Sequence, residues 1–471
     1  QDFPRALWLL ANCLRDGLGV EEDLERSVEL LRRASGQSYA PAVCSLGLCY
    51  ELGTGVEMDK TRATEYYRRA AEDDYAPAQC NLGFCYMVGI GVEVDPEQAG
   101  VWLEKAAEQN YPRALDLLGC RFRDGTGVEK DLARAAELFA RAAERDYGPG
   151  VCNLGLCYEM GEGVEEDKPR AVELYRRAAE LDYVPAQCNL AFCWMTGIGV
   201  ERDMGQAIPW LEKAAERNYP RAQWLLGCCF RDGDGVEKDE ARAAELFARA
   251  SEQEFPPAQC SLGLCYEYGT GVEMDKAHAA ELYRQAAEAG NQSAQANLGY
   301  CYFQGIGVEK DPAQAVEWLE KSAQQGYARA QDLLGWCCQE GIGTEKDQGR
   351  AVELFTKAAE QGYAPAQNNL GSCYRYGEGV EVDREKAVYW LTKAAEQGDA
   401  PAQCSLGLCY ELGEGVEMDK AKAAQLYRRS AEQGNLPAHA NLALFLLHAV
   451  RHERIDVGAL VRSALHRRGG R

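Results

Sequence analysis

The sequence repeats every 36 residues around a Gly-x-Gly-Val-Glu loop that returns twelve times without an insertion or deletion. The second copy reads Gly53-Thr54-Gly55-Val56-Glu57, with Asp59 following, and the first glycine falls at 17, 53, 89, 125, 161, 197, 233, 269, 305, 341, 377 and 413. A fixed period of this length means that one supersecondary unit is stacked repeatedly, each copy burying its apolar side only against its neighbours. A chain of 471 residues would otherwise suggest several globular domains. No Pro/Gly/Ser-rich linker divides it, so the expectation is one elongated all-α array, an α-α superhelix of twelve 36-residue hairpins.

In the unit at residues 41–76, Ala42, Leu46, Cys49 and Tyr50 share one face of a first helix, helix A. Leu46 recurs in every unit and is expected to be the central knob, with Gly47 beside it admitting another helix closely. Gly53 should end the helix in the left-handed conformation, and Val56 should turn inward from an otherwise polar loop. Asp59 is placed to cap helix B, whose buried stripe is read as Ala63, Tyr66, Tyr67, Ala70 and Ala71. Asp311-Pro312-Ala313-Gln314 has the form of a capping box. Glu65 with Arg69 and Glu137 with Arg141 read as exposed i,i+4 pairs, and Pro209 as a kink in its helix B.

A slower rhythm overlies the first. Residues 77–112 match 185–220 at 27 of 36 positions but match 113–148 at only 13, so the effective block is three hairpins, 108 residues, repeated until order breaks near residue 365. Residues 1–4 resemble the end of a preceding repeat, which suggests a fragment or processed form. Residues 5–436 hold the twelve units, and 437–471 read as a degenerate C-terminal cap hairpin with a basic tail.

Ala42, Leu46-Gly47-x-x-Tyr50, Gly53-x-Gly55-Val56, Asp59, Ala63, Tyr66 and Ala70-Ala71 together resemble the Sel-1-like repeat. Tetratricopeptide repeats share the Leu-Gly-x-x-Tyr core, but their period is about 34. The resemblance implies a right-handed superhelix with helix A on the concave side. It also implies a scaffold that gathers partners, as relatives do in quality control, signalling and bacterial contact with hosts, and it implies no common active site.

All twenty cysteines fall on helix A, eleven at the position of Cys49 and six at that of Cys44. The secreted cysteine-rich branch of the family pairs one Cys on each helix of a repeat, and helix B here has none. Buried free thiols are therefore expected, which favours a reducing, cytoplasmic setting while leaving secretion or the periplasm open; disulfides between neighbouring repeats remain the alternative. No zinc spacing is present, four of five histidines lie at 439, 448, 452 and 466, and the glycine loops lack a Lys-Ser/Thr and follow helices, so no metal, phosphate site or cofactor is expected.

The net charge of −23 sets the chain against nucleic acid and anionic membrane surfaces, and no apolar run is long enough to span a bilayer. The expected partners are protein or peptide segments, neutral or basic. Recognition is assigned to positions 1, 5, 8 and 12 of each unit, which point away from the Leu46 face. The candidates are Asn81, Phe84, Arg113, Asp124, Asn153, Asn189, Phe192, Arg221, Asp232, Tyr268, Asn297, Tyr300, Trp336 and Asn369, with Leu225 and Cys228 at equivalent places. Asparagine amides can give and accept bonds from an extended backbone, while Arg113 with Asp124 and Arg221 with Asp232 put opposite charges at the two ends of helix A. The competing reading is that these residues only pack neighbouring A helices together. The functional reading is a non-enzymatic scaffold; the alternatives are a hydrolase-like activity as claimed for some cysteine-rich relatives, or a structural spacer.

Overall fold

The computed structural model describes residues 3–453, with side chains described as far as residue 445. The described residues form twenty-five α-helices and no strand. By contacts they group into two compact units, one ending at Lys238 and the other beginning at Asp239. The first unit holds α1 (Pro4–Asp16), α2 (Leu24–Ser35), α3 (Ala40–Leu52), α4 (Lys60–Glu72), α5 (Ala76–Val88), α6 (Pro96–Glu108), α7 (Pro112–Asp124), α8 (Leu132–Ala143), α9 (Gly148–Met160), α10 (Lys168–Glu180), α11 (Val184–Thr196), α12 (Met204–Glu216) and α13 (Pro220–Asp232). The second holds α14 (Glu240–Ser251), α15 (Pro256–Tyr268), α16 (Lys276–Glu288), α17 (Gln292–Gln304), α18 (Pro312–Gln324), α19 (Ala328–Glu340), α20 (Gln348–Glu360), α21 (Ala364–Tyr376), α22 (Arg384–Glu396), α23 (Ala400–Leu412), α24 (Lys420–Glu432) and α25 (Leu436–Glu453). Odd-numbered helices are A helices and even-numbered ones B helices. Within each unit every helix packs on the next, and A helices of neighbouring repeats also touch, as α7 does α9 and α21 does α23.

Each element begins and ends where its residues dictate. Gly53 takes φ 74° at the end of α3, and its amide donates to Cys49 O; an L side chain there would be strained. On helix B all twelve aspartates at the position of Asp59 accept a first-turn amide, as Asp59 does from Arg62 N at 2.9 Å. The hairpin closes on Leu46 and its equivalents, which are nearly all buried, and on the ring of Tyr67, which is fully enclosed. A methyl group on Gly47 would lie 2.8 Å from that ring, so the glycine is what lets helix B come so near. Val56 is half-buried against the same core.

Two local expectations need correction. Tyr66 is half-buried and stacks on Tyr50 at 5.5 Å, while Thr64 takes the buried place beside Ala63. Arg69 donates to Ser35 O at 2.9 Å, and Arg141 to Ala107 O at 2.8 Å and Asn110 Oδ1 at 2.9 Å. These arginines therefore reach back to the end of the preceding B helix, where unfilled carbonyls and the negative end of the dipole attract a cation more strongly than one exposed glutamate does. α12 continues as one helix through Pro209, and the carbonyl deprived of its bond belongs to Gly205 in the exposed first turn. Of the proposed cap hairpin, α25 supplies the first helix; residues 454–471 lie outside the described residues.

Candidate binding face on the A helices

The asparagines at the fifth position of the unit join three successive repeats. Asn81 Nδ2 donates to Cys44 Sγ at 3.7 Å in the repeat before, and its Oδ1 accepts from Arg113 Nη1 at 2.9 Å in the repeat after. The same guanidinium lies 5.2 Å from the centre of the Phe84 ring, within cation–π range. The arrangement returns 108 residues on, where Asn189 bonds Cys152 at 3.6 Å and Arg221 at 2.6 Å, and Arg221 lies 5.3 Å from Phe192. It returns again with Asn297, which bonds Cys260 at 3.6 Å and Arg329 at 2.8 Å, and with Arg329 5.7 Å from Tyr300. Among the described residues no carboxylate pairs with Arg113, Arg221 or Arg329. A guanidinium has five N–H groups, so each arginine is fixed by one bond and a ring while other donors stay available.

The other two candidate asparagines meet an aspartate where the first set meets cysteine. Asn153 Nδ2 donates to Asp116 Oδ1 at 2.7 Å, and Asn369 Nδ2 to Asp332 Oδ1 at 2.8 Å. Burial pushes both carboxyls up, Asp332 to about 6, while the asparagine donors pull them back; Asp399 adds to the rise at Asp332. The candidate asparagines thus hold neighbouring A helices together, and Asn297 is buried outright. Each keeps at most one amide hydrogen for a ligand.

Asp124 and Asp232 do stand exposed at the far ends of α7 and α13, but Arg123 and Arg231 pair with them at 2.9 and 2.7 Å. The negative half of the expected charge alternation is therefore neutralised locally, and the bond from Arg231 holds the Asp232 carboxyl below its ordinary range. Tyr268 is 62% exposed, and Trp336, 38% exposed, meets Phe303 edge-on at 5.3 Å. Leu225 is buried and belongs to the core, and Cys228 is half-buried.

All twenty thiols are free; Cys13, Cys120 and Cys228 are half-buried and the other seventeen buried. Burial pushes Cys44 to about 12 and Cys85 and Cys157 to about 11, away from the thiolate and the reverse of what a nucleophile needs. No group of three metal-ligating side chains occurs among the described residues. His278 lies edge-on to Tyr266 at 4.5 Å in the first turn of α16. A second ladder was readable from spacing and was missed: glutamine at the third and thirty-third positions, with Gln109 Nε2 donating to Gln79 Oε1 at 2.9 Å and Gln361 to Gln331 at 2.8 Å.

The Sel1 repeat matches the chain twelve times, over residues 4–39, 40–75, 76–111, 112–147, 149–183, 184–219, 220–255, 256–291, 292–327, 328–363, 364–399 and 400–435. No curated protein matches it. Among solved structures, a protective antigen present in uropathogenic Escherichia coli strains and displaying an SLR fold is 36% identical, with 93% of each chain covered and a TM-score of 0.66. A Sel1 repeat protein from Oxalobacter formigenes is 30% identical over 65% of this chain and 89% of its own, with a TM-score of 0.46. With the repeat matched along nearly all of the array, and a solved relative covering as much, the chain belongs to the Sel1 repeat family.

Proposed function

We propose that this chain is a non-enzymatic scaffold that holds segments of partner proteins, neutral or basic overall, along the outward face of its A helices. Proteins built of Sel1 repeats are generally protein-interaction scaffolds. The observation that carries the reading here is the threefold return of a guanidinium fixed against an aromatic ring and an asparagine, with no carboxylate partner among the described residues, at Arg113, Arg221 and Arg329. Fixed donors of this kind lose little freedom when they bind the backbone carbonyls of an extended segment. Tyr268 and Trp336 add exposed aromatic surface of the kind that anchors interfaces. In this reading the asparagines set the arginines rather than the ligand.

The test places a photo-crosslinking residue at Tyr268 or Trp336, and for comparison at the exposed B-helix position Glu281, in the full chain used as bait. Partner adducts should form at the first two positions and be lost when Arg113, Arg221 and Arg329 are changed together to Gln. Adducts formed equally at Glu281, or untouched by the arginine changes, would move the site off the A helices.

A further inference from the structure

The A-helix face leaves a second surface unaccounted for. Among the described residues, eleven of the 23 exposed large apolar side chains lie at only two places in the repeat, the last residue of helix A and the residue six positions later. In two adjacent repeats these are Leu52 (61% exposed) with Met58 (57%), and Val88 (47%) with Val94 (60%). In the second unit Tyr376 with Val382, and Leu412 with Met418, stand 55–61% exposed in the same way.

Each pair flanks the glycine that ends helix A. A methyl on Gly53 would touch Met58 Cβ at 3.5 Å, and one on Gly89 would meet Val94 Cγ2 at 3.0 Å. A local apolar contact across the helix end would account for the pairing. The chain itself shows that the loop does not require it. Asp124 with Lys130, Asp232 with Lys238 and Glu340 with Lys346 fill the same two places with opposite charges, and their glycines take φ of 71–73°, against 74° and 79° at Gly53 and Gly89. The fold is indifferent to what stands there, so the apolar choice has another cause.

Successive loops also abut. A Cβ on Gly91 would lie 2.0 Å from Lys60 O, and Thr64 Oγ1 donates to Ile90 O at 2.9 Å, so this loop is seated on the first turn of α4, directly after Met58 and Asp59. Gly415 sits on Arg384 O in the same manner. Two neighbouring pairs therefore make one apolar ridge. Residues 51–60 and 87–97 surround the first ridge with six carboxylates against Lys60 alone, and residues 375–384 and 411–420 surround the second with seven against three cations.

We propose that each ridge docks a basic amphipathic segment of a partner protein, its apolar side chains on the ridge and its lysines or arginines toward the surrounding glutamates. Apolar surface rimmed by one sign of charge is what such a segment complements. A second copy of this chain is a poor occupant, because its own loops carry the same negative charge. The ridges share the last position of helix A with the A-helix face, where Tyr268 also stands, but they include none of Arg113, Arg221 and Arg329, and the proposal does not depend on those arginines.

The probe is a fluorescein-labelled helix of leucine and lysine, about 18 residues and so about five turns long, titrated by anisotropy into the full chain at physiological salt. Leu52, Met58, Val88 and Val94 are changed to Ser, alone and together with Tyr376, Val382, Leu412 and Met418. All eight are exposed, and an unchanged thermal melt confirms that the fold is kept. The first set should halve the number of peptides bound, and both sets should weaken binding at least about tenfold. Binding undiminished by the eight changes overturns the proposal, as does equal binding of a serine-lysine peptide of the same charge. Self-association of the chain that is lost in the eightfold variant also overturns it, since the ridges would then be contacts between copies.

Discussion

Tyr175→Phe removes one oxygen from the centre of a hairpin and should cost more than its size suggests. The ring is fully enclosed, and its hydroxyl donates to Glu159 Oε2 at 2.5 Å. The same pair joins Tyr67 to Glu51 and Tyr427 to Glu411, at 2.5 and 2.6 Å. Where the ring position holds Phe or Leu instead, the partner position is never Glu: Phe139 goes with Arg123, Phe355 with Gln339, and Leu103 with Met87. The carboxylate is therefore present for the phenol. A hydrogen bond to a charged group contributes about 1.5–3 kcal/mol, and because Glu159 is half-buried and can recruit water, the lower end, about 1.5 kcal/mol, is expected. Tyr175→Phe with Glu159→Gln should recover most of that loss, since no carboxylate is then left without its donor. Urea unfolding followed by circular dichroism gives the two differences, and amide exchange in α9 and α10 guards against an array that unfolds piecewise. A single loss below about 0.5 kcal/mol, or a double variant as unstable as the single, would refute the reasoning.

Leu262→Ala should destabilise by about 2–5 kcal/mol, because Leu262 is 5% exposed at the centre of its hairpin, whereas Glu281→Ala, at an exposed site facing Arg284, should change the melting point little. Equal shifts would mean the faces are misassigned. Asp332 has its folded pKa raised to about 6 from an ordinary 3.8, so the folded chain holds a proton that the unfolded chain releases first. Its contribution is complete below pH about 4 and is lost as pH rises through 6, about 3 kcal/mol in all, and Asp332→Asn should flatten that part of the stability profile and gain stability at pH 7. Glu254 takes φ 57° where Gly290, Gly326, Gly362 and later repeats place glycine, so Glu254→Gly should raise stability by up to about 1 kcal/mol in urea unfolding; a loss would show that the Glu254 side chain is needed.

What could be read from the sequence was whatever closes within one repeat. Leu46, Gly47, Gly53 and Asp59 meet partners a few residues off or across one hairpin, and their spacing alone gives the helices, the loop and the caps. Bonds between repeats join places out of phase with the period. Asn81 reaches Cys44 across 37 residues and Arg113 across 32, and Arg141 reaches Ala107 across 34. A unit read by itself shows such side chains as free, which is why the asparagines looked like ligand donors and Arg69 like the partner of Glu65. The pairing of Leu52 with Met58 had a sequence signal in its charged counterparts, Asp124 with Lys130, but it takes the seating of one loop on the next to make a surface of it.

The two proposed surfaces differ in physical character, and salt separates them. On the A helices the available donors are guanidinium groups, and a backbone carbonyl that accepts from them carries no net charge, so raising salt removes little of that interaction. At the loop ridges the partner's cations face six or seven carboxylates, so the attraction is largely coulombic and exposed, and it is screened within about 8 Å at physiological ionic strength. A partner that uses both should therefore lose affinity with salt in the wild-type chain and lose most of that dependence in a ridge variant with Glu57, Glu93, Glu381 and Glu417 changed to Gln. If the salt dependence persists in the ridge variant, the charged contact lies elsewhere and the ridges do not carry it.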